Sequence, residues 1–232
     1  CRALSRLALG EFAAAWPDFS CRFFRKRRPV ARRCSELPDW NGRPVKTLLL
    51  SAEQGYGDTL QFGRFIPLAA KHADRLVVEA PAPLLRLLAA QPDIGEAVDA
   101  ATFADTYCPL PDLPRLLGPE PVAAAWLTAP AEAAALWAER LADLPRPRIG
   151  IAWSGRAETR AGPHLVRAVS LPRLLAALPA DAAIVPLQKD MSAADAATLA
   201  ADARVRAGAA EIADFADVAG IAAAMDLIVS ID

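Results

Sequence analysis

The sequence predicts an α/β protein made of two parallel-sheet domains in tandem. Three observations predict it. Short apolar runs alternate with helix-length amphipathic segments. The pattern pauses at Pro145-Arg146-Pro147 and restarts at Ile149. The apolar runs end in short polar or glycine-containing turns, the places where open α/β sheets carry ligands.

Residues 1–20 come first, with Leu4, Leu7, Ala8, Phe12, Ala15 and Trp16 near helical spacing and a break at Gly10. Arg22, Arg25, Lys26, Arg27, Arg28, Arg32 and Arg33 follow without an acid between them. This run reads as a solvated linker or helix face, with contact to phosphate or an anionic surface as the alternative. Phe23 and Phe24 are able to anchor it to a neighbouring domain. Thr47–Ala52 is a short apolar strand, Glu53–Thr59 a polar turn, and Leu60, Phe62, Phe65, Ile66 and Leu68 fit one helix. Leu76–Glu79 is a second strand, and Pro83 opens a helix through Ala90. Residues 99–105 fit no element, and Pro109–Pro114 is a proline-punctuated connection. Ala131–Leu141 is helical around Leu136 and Trp137. After the restart, Arg148–Trp153, Ala183–Leu187 and Leu227–Ile231 read as strands, the last one buried, with Val205–Ala209 a further short candidate. Helices are expected at Leu171–Leu178, Ser192–Ala203 and Asp214–Met225, and a polar loop at 156–169.

Composition narrows the classes. The chain has 232 residues and is 54% hydrophobic, but 53 of those residues are alanine, which favours helix and buries little area. The core therefore rests on Leu, Val, Ile, Phe and Trp. A net charge of −1 argues against bulk nucleic-acid binding. No apolar run approaches the ~18 residues of a membrane span. Four cysteines without C-x-x-C spacing and two histidines make no zinc set or disulfide framework, so a reducing, cytoplasmic compartment is the expectation. Twenty-two arginines against four lysines, with the alanine excess, suggest a GC-rich bacterial genome. The start at Cys1 and the stop at Asp232, directly after an apolar run, read as those of a fragment cut at both ends.

Strand ends select the candidate chemistry. At 53–58, Gly55 and Gly57 let the backbone turn tightly and approach a ligand, while a helix starting near Thr59 directs free N–H groups to the same place. Asp58 is either that helix's N-cap or a general base facing a cleft. Gln61 and Arg64 share a helix face, and Arg64 suits either a forked contact with phosphate or carboxylate or a surface salt bridge. The segment lacks the third glycine of a dinucleotide fingerprint, since position 60 is Leu60, and it lacks the G-K-S/T of a P-loop. Gln188 and Lys189 suit a nucleotide's ribose and phosphate, or form an ordinary polar strand end. Trp153 reads as core or interface packing rather than a stacking platform.

Glu53-Gln54-Gly55-Tyr56-Gly57-Asp58-Thr59-Leu60-Gln61-Phe62-Gly63-Arg64-Phe65 resembles the E-Q-G-x-G-D-T-x-Q-F-x-R-Y/F signature of bacterial glycosyltransferases that carry N-terminal tetratricopeptide repeats. These are relatives of the heptosyltransferases of glycosyltransferase family 9 and, more distantly, of O-GlcNAc transferase. Gly10-Glu11-Phe12 with Trp16 and Arg22 resembles a last repeat, and Pro38-x-Trp40-Asn41-Gly42 the segment leading into the catalytic domain. Cys108-Pro109-Leu110, Ile149–Gly155, Arg167-x-x-Ser170-Leu171, Leu187-Gln188-Lys189, Asp214-Phe215-Ala216-Asp217 and Leu227–Asp232 are similar to further family segments, in order. Val218 departs from the D-F-x-D-T-A pattern, and His164 and Val166 stand where basic residues often crowd.

The resemblance implies a GT-B architecture of two Rossmann-like domains. A repeat remnant would occupy 1–40, an acceptor domain 41–145, and the truncated first part of a nucleotide-sugar domain 146–232. It implies an inverting, metal-independent glycosyltransferase with a nucleotide-sugar as substrate and no cofactor. Asp58 would be the base, with Glu53, Gln54, Gly55, Gly57, Gln61 and Arg64 on the acceptor side. Trp153, Gly155, Arg167, Ser170, Gln188, Lys189 and Asp232 would serve the donor. The acceptor would be a protein or a glycan, a protein partner could dock on upstream repeats, and the location would be cytoplasmic or peripheral to the inner membrane. The donor-site groups expected after Asp232 are absent, so this fragment is expected to be inactive. A repeat-linked interaction module with a degenerate, non-catalytic transferase domain is the alternative.

Overall fold

The computed structural model describes residues 2–24, 36–100, 103–118, 125–155, 168–206 and 211–231. The chain forms two compact units, Cys1–Thr128 and Ala129–Asp232.

The first unit opens with α1 (Arg2–Ala8) and α2 (Phe12–Phe19), then a tight helical turn over Ser20–Phe24. Gly10, at φ 76°, makes the bend between the helices, a conformation that costs glycine nothing. Arg6 donates to Asp18 at 2.6 Å, tying the pair together. Trp16 lies edge-on to the Phe62 ring at 6.0 Å, so the helices pack on the domain and do not form a free tail.

The sheet follows as β1 (Val45–Ser51), β2 (Ala73–Glu79), β3 (Glu96–Val98) and β4 (Thr106–Pro109). Its order is β3-β2-β1-β4, all parallel, with Leu49 opposite both Val77 and Tyr107. β1 is buried without interruption from Thr47 to Ser51, as expected of a central parallel strand. The helices are α3 (Tyr56–Gly63), α4 (Ile66–Ala70), α5 (Ala82–Ala89) and α6 (Leu113–Leu117). The single helix expected after β1 is in fact α3 and α4. Pro67 lies in the first turn of α4, where its missing N–H costs nothing, and the chain breaks just before it. β3 and β4 escape the sequence pattern because three or four residues are too few to show a period.

The second unit contains α7 (Ala131–Arg140), β5 (Arg148–Ala152), α8 (Leu171–Ala177), β6 (Ala183–Pro186), α9 (Ala193–Ala201), α10 (Phe215–Ala223) and β7 (Leu227–Ser230). The sheet is parallel with order β6-β5-β7. Side chains alternate to two cores: Ile149, Ile151 and Ile184 join Leu171, Leu175 and Leu199, while Val185 joins Trp137, Leu141 and Ile221.

Two expectations change here. α7 packs with the second unit, although it precedes the Pro145–Pro147 stretch expected to divide the domains. A Cβ on Gly220 of α10 would stand 2.6 Å from the Ala133 carbonyl oxygen of α7, a close crossing that no local pattern announces. Val205 forms a parallel bridge to Ile184, and residues 207–209 of that expected strand lie outside the described residues. β7 is exposed rather than buried, with Leu227 at 53% and Ile228 at 44%, since among the described residues only β5 pairs with it.

Candidate functional site

In the first unit the strand order reverses between β1 and β4, the switch point at which open α/β sheets bind ligands. The segment after β1 runs straight into α3. Gly55 is the N-cap, with φ −79° and ψ 173°, so the helix starts at Tyr56 and Asp58 is its third residue. Asp58 is therefore not the N-cap. Its Oδ2 accepts the Gly55 N–H at 3.1 Å, reaching back to cap the helix start. Its other oxygen has no partner among the described residues, and the side chain is half-exposed. Thr59 secures the same turn by donating its hydroxyl to the Gly55 carbonyl at 3.1 Å.

Neither glycine of this segment has a positive φ. At Gly57 no described atom lies within 4 Å of where a Cβ would be. Glycine in a helix is unfavourable by roughly 0.5–1 kcal/mol relative to alanine, and nothing in the described fold calls for it here. Gln54 and Gln61 are exposed, while Arg64, at the C-cap of α3, is half-buried.

Glu53 faces inward, into the packing of the first unit. Arg22 donates its Nε and a terminal nitrogen to the two Glu53 oxygens, both at 2.7 Å, and its remaining terminal nitrogen to Asp112 Oδ1 at 2.8 Å. The Arg22 and Glu53 side chains are 4% and 3% exposed. The guanidinium also lies 4.2 Å from the Phe23 ring centre and 5.1 Å from that of Phe19. Burial works against the Arg22 charge, but the hydrogen bonds to Glu53 and Asp112 outweigh it and hold its pKa above the ordinary value. Arg22 is thus no part of a solvated face, and the rest of the basic run lies outside the described residues. Sequence reasoning missed Arg22 and Asp112 as members of this site. Phe23 and Phe24, which follow Arg22, were the available signal.

In the second unit the order reverses between β5 and β7. Gly155 is exposed beyond the end of β5. Gln188 is a clasp rather than an open ligand group. Its Oε1 accepts the Ser154 N–H at 3.1 Å, and its Nε2 donates to Ser154 Oγ at 2.6 Å and to the Asp190 carbonyl at 2.8 Å. Trp153 is 2% exposed and belongs to the core, so its ring offers no stacking platform. Lys189 donates to the Ala213 carbonyl at 3.1 Å from an exposed position. Ser170 is the exposed N-cap of α8. Arg167 and Asp232 lie outside the described residues. Asp214 caps α10 by accepting the Ala216 N–H at 2.8 Å, and buried Asp217 accepts the Trp137 indole N–H at 3.3 Å, which makes this D-F-x-D segment a structural device.

A cavity of about 460 Å³ opens off the end of β4, lined by Ser20, Phe23, Trp40, Cys108, Asp112 and Arg115 among others. Among the described residues no group of three His, Cys, Asp or Glu comes together to hold a metal, and no helix is long and apolar enough to cross a membrane. Both units thus present polar groups at the carboxyl ends of parallel strands, in a Rossmann-like α/β fold. Comparison with protein-family models, with curated proteins and with solved structures found no match.

Proposed function

We propose that the protein is a GT-B glycosyltransferase that transfers a sugar from a nucleotide-sugar to an acceptor hydroxyl with inversion. One observation carries the reading. Asp58 stands at the N-terminal turn of α3 with one oxygen fixed by the Gly55 N–H and the other open, beside the empty space at Gly57. A base needs that combination: a fixed orientation, a free lone pair and room for the hydroxyl to approach within ~3 Å. In this reading Asp58 takes the acceptor proton, the acceptor oxygen attacks the anomeric carbon, and the bond to the nucleotide diphosphate breaks on the opposite face. The N–H groups of the first turn of α3 favour anionic groups nearby. The resemblance assigns Lys189 to the donor's diphosphate, whose charge grows as the bond breaks. Gln188 acts indirectly, by shaping the turn at Ser154.

The alternative, a repeat-linked interaction module without catalysis, draws support from the saturated Gln188 amide. Turnover separates the two. The protein encoded by the full gene, incubated with a panel of UDP-, GDP- and ADP-sugars, is expected to release nucleoside diphosphate from one of them. Binding of NAD(H) with no nucleotide-sugar bound or consumed would overturn the transferase reading.

A further inference from the structure

Glu53 follows the end of β1 and Asp112 follows the end of β4, so the two carboxylates flank the switch point of the first sheet. A side chain from the N-terminal helical segment fills the space between them. Arg22 bridges both carboxylates at 2.7–2.8 Å and is itself 4% exposed. Two carboxylates against one guanidinium is a costly arrangement to bury, and such ion groups are weak contributors to net stability. Their geometric effect is strong, because a forked guanidinium fixes both oxygens of its partner. Glu53 lies two residues before the N-cap Gly55, whose N–H holds Asp58. The chain of contacts therefore runs from Arg22 through Glu53 to the turn that orients Asp58.

We propose that Arg22 is a positioning residue through which the N-terminal helical segment sets the geometry of the 53–58 turn. The proposal rests on the transferase reading only for its consequence in catalysis, and its test does not depend on turnover. Amide hydrogen exchange is compared in the wild-type protein, in Arg22→Met, and in Arg22→Met/Glu53→Gln/Asp112→Asn, which removes the buried charges together and guards against simple misfolding. The Gly55 and Thr59 amides, both hydrogen-bonded within the turn, are the reporters, and the Leu49 and Val77 amides of the sheet are the reference. Exchange at Gly55 and Thr59 is expected to speed up roughly tenfold or more in the variants while the sheet stays at wild-type protection. Unchanged exchange in a folded variant, an equal increase across the sheet, or loss of the fold in both variants overturns the proposal, the last two because Arg22 would then serve the whole unit. A full-gene wild-type protein with no turnover on any sugar nucleotide counts against the transferase reading alone.

Discussion

At Asp58 and Gly57 the proposed transfer reaction and the demands of the helix can be told apart. Gly57→Ala is expected to raise stability by about 0.4–1 kcal/mol, since the backbone is helical there and the added methyl meets open space. On the proposed reading the same methyl meets the approaching acceptor, so turnover of the full-gene protein is expected to fall by roughly tenfold, equivalent to ~1.4 kcal/mol of barrier. Thermal unfolding and a rate assay read the two effects separately. The cysteines give a second contrast. Cys108 is 2% exposed, and burial pushes its thiol well above the ordinary range, whereas Cys21 is exposed. Iodoacetamide on the native protein at mild alkaline pH is expected to label Cys21 and spare Cys108, as peptide mass spectrometry would show. Of these features the sequence displayed Asp58 and its glycines clearly. It did not display the role of Arg22, because a run of basic neighbours looks solvated whatever a single member does in three dimensions.

Elements were legible where the apolar pattern was long enough. β1, β5 and β6 each contain a short apolar run that marks the strand, although β1 starts two residues earlier than its run, at Val45. The start of α3 was not legible, because a Gly-Tyr-Gly stretch reads as a turn while the backbone is already helical from Tyr56. The α7–α10 crossing was equally hidden. Gly220→Ala places a methyl against the Ala133 carbonyl and the Trp137 ring, and is expected to lower stability by about 1–3 kcal/mol. Chemical denaturation checks this, and an unchanged midpoint would show that the two helices separate freely.

At the scale of the molecule, each unit is a parallel sheet whose strand order reverses beside its first strand, and each places polar groups at that reversal. The alternation of strands and helices made this legible, because parallel strands need crossover connections that leave a long-range rhythm in the chain. The allocation of α7 was not legible, since it depends on a partner some eighty residues later (Trp137 to Asp217). Nor was the seating of the N-terminal segment on α3 and the strand-end turns, made by Arg22 and the edge of Trp16. The central claim is that Asp58 is the base of a sugar transfer. It is tested most directly in the protein encoded by the full gene, by the rate at which Asp58→Asn consumes the sugar nucleotide that the wild type accepts. Asparagine keeps an oxygen for the Gly55 N–H and so preserves the turn, but it takes no proton. The account predicts a fall of roughly a hundredfold or more with the thermal midpoint nearly unchanged. Equal rates in the two proteins would contradict it.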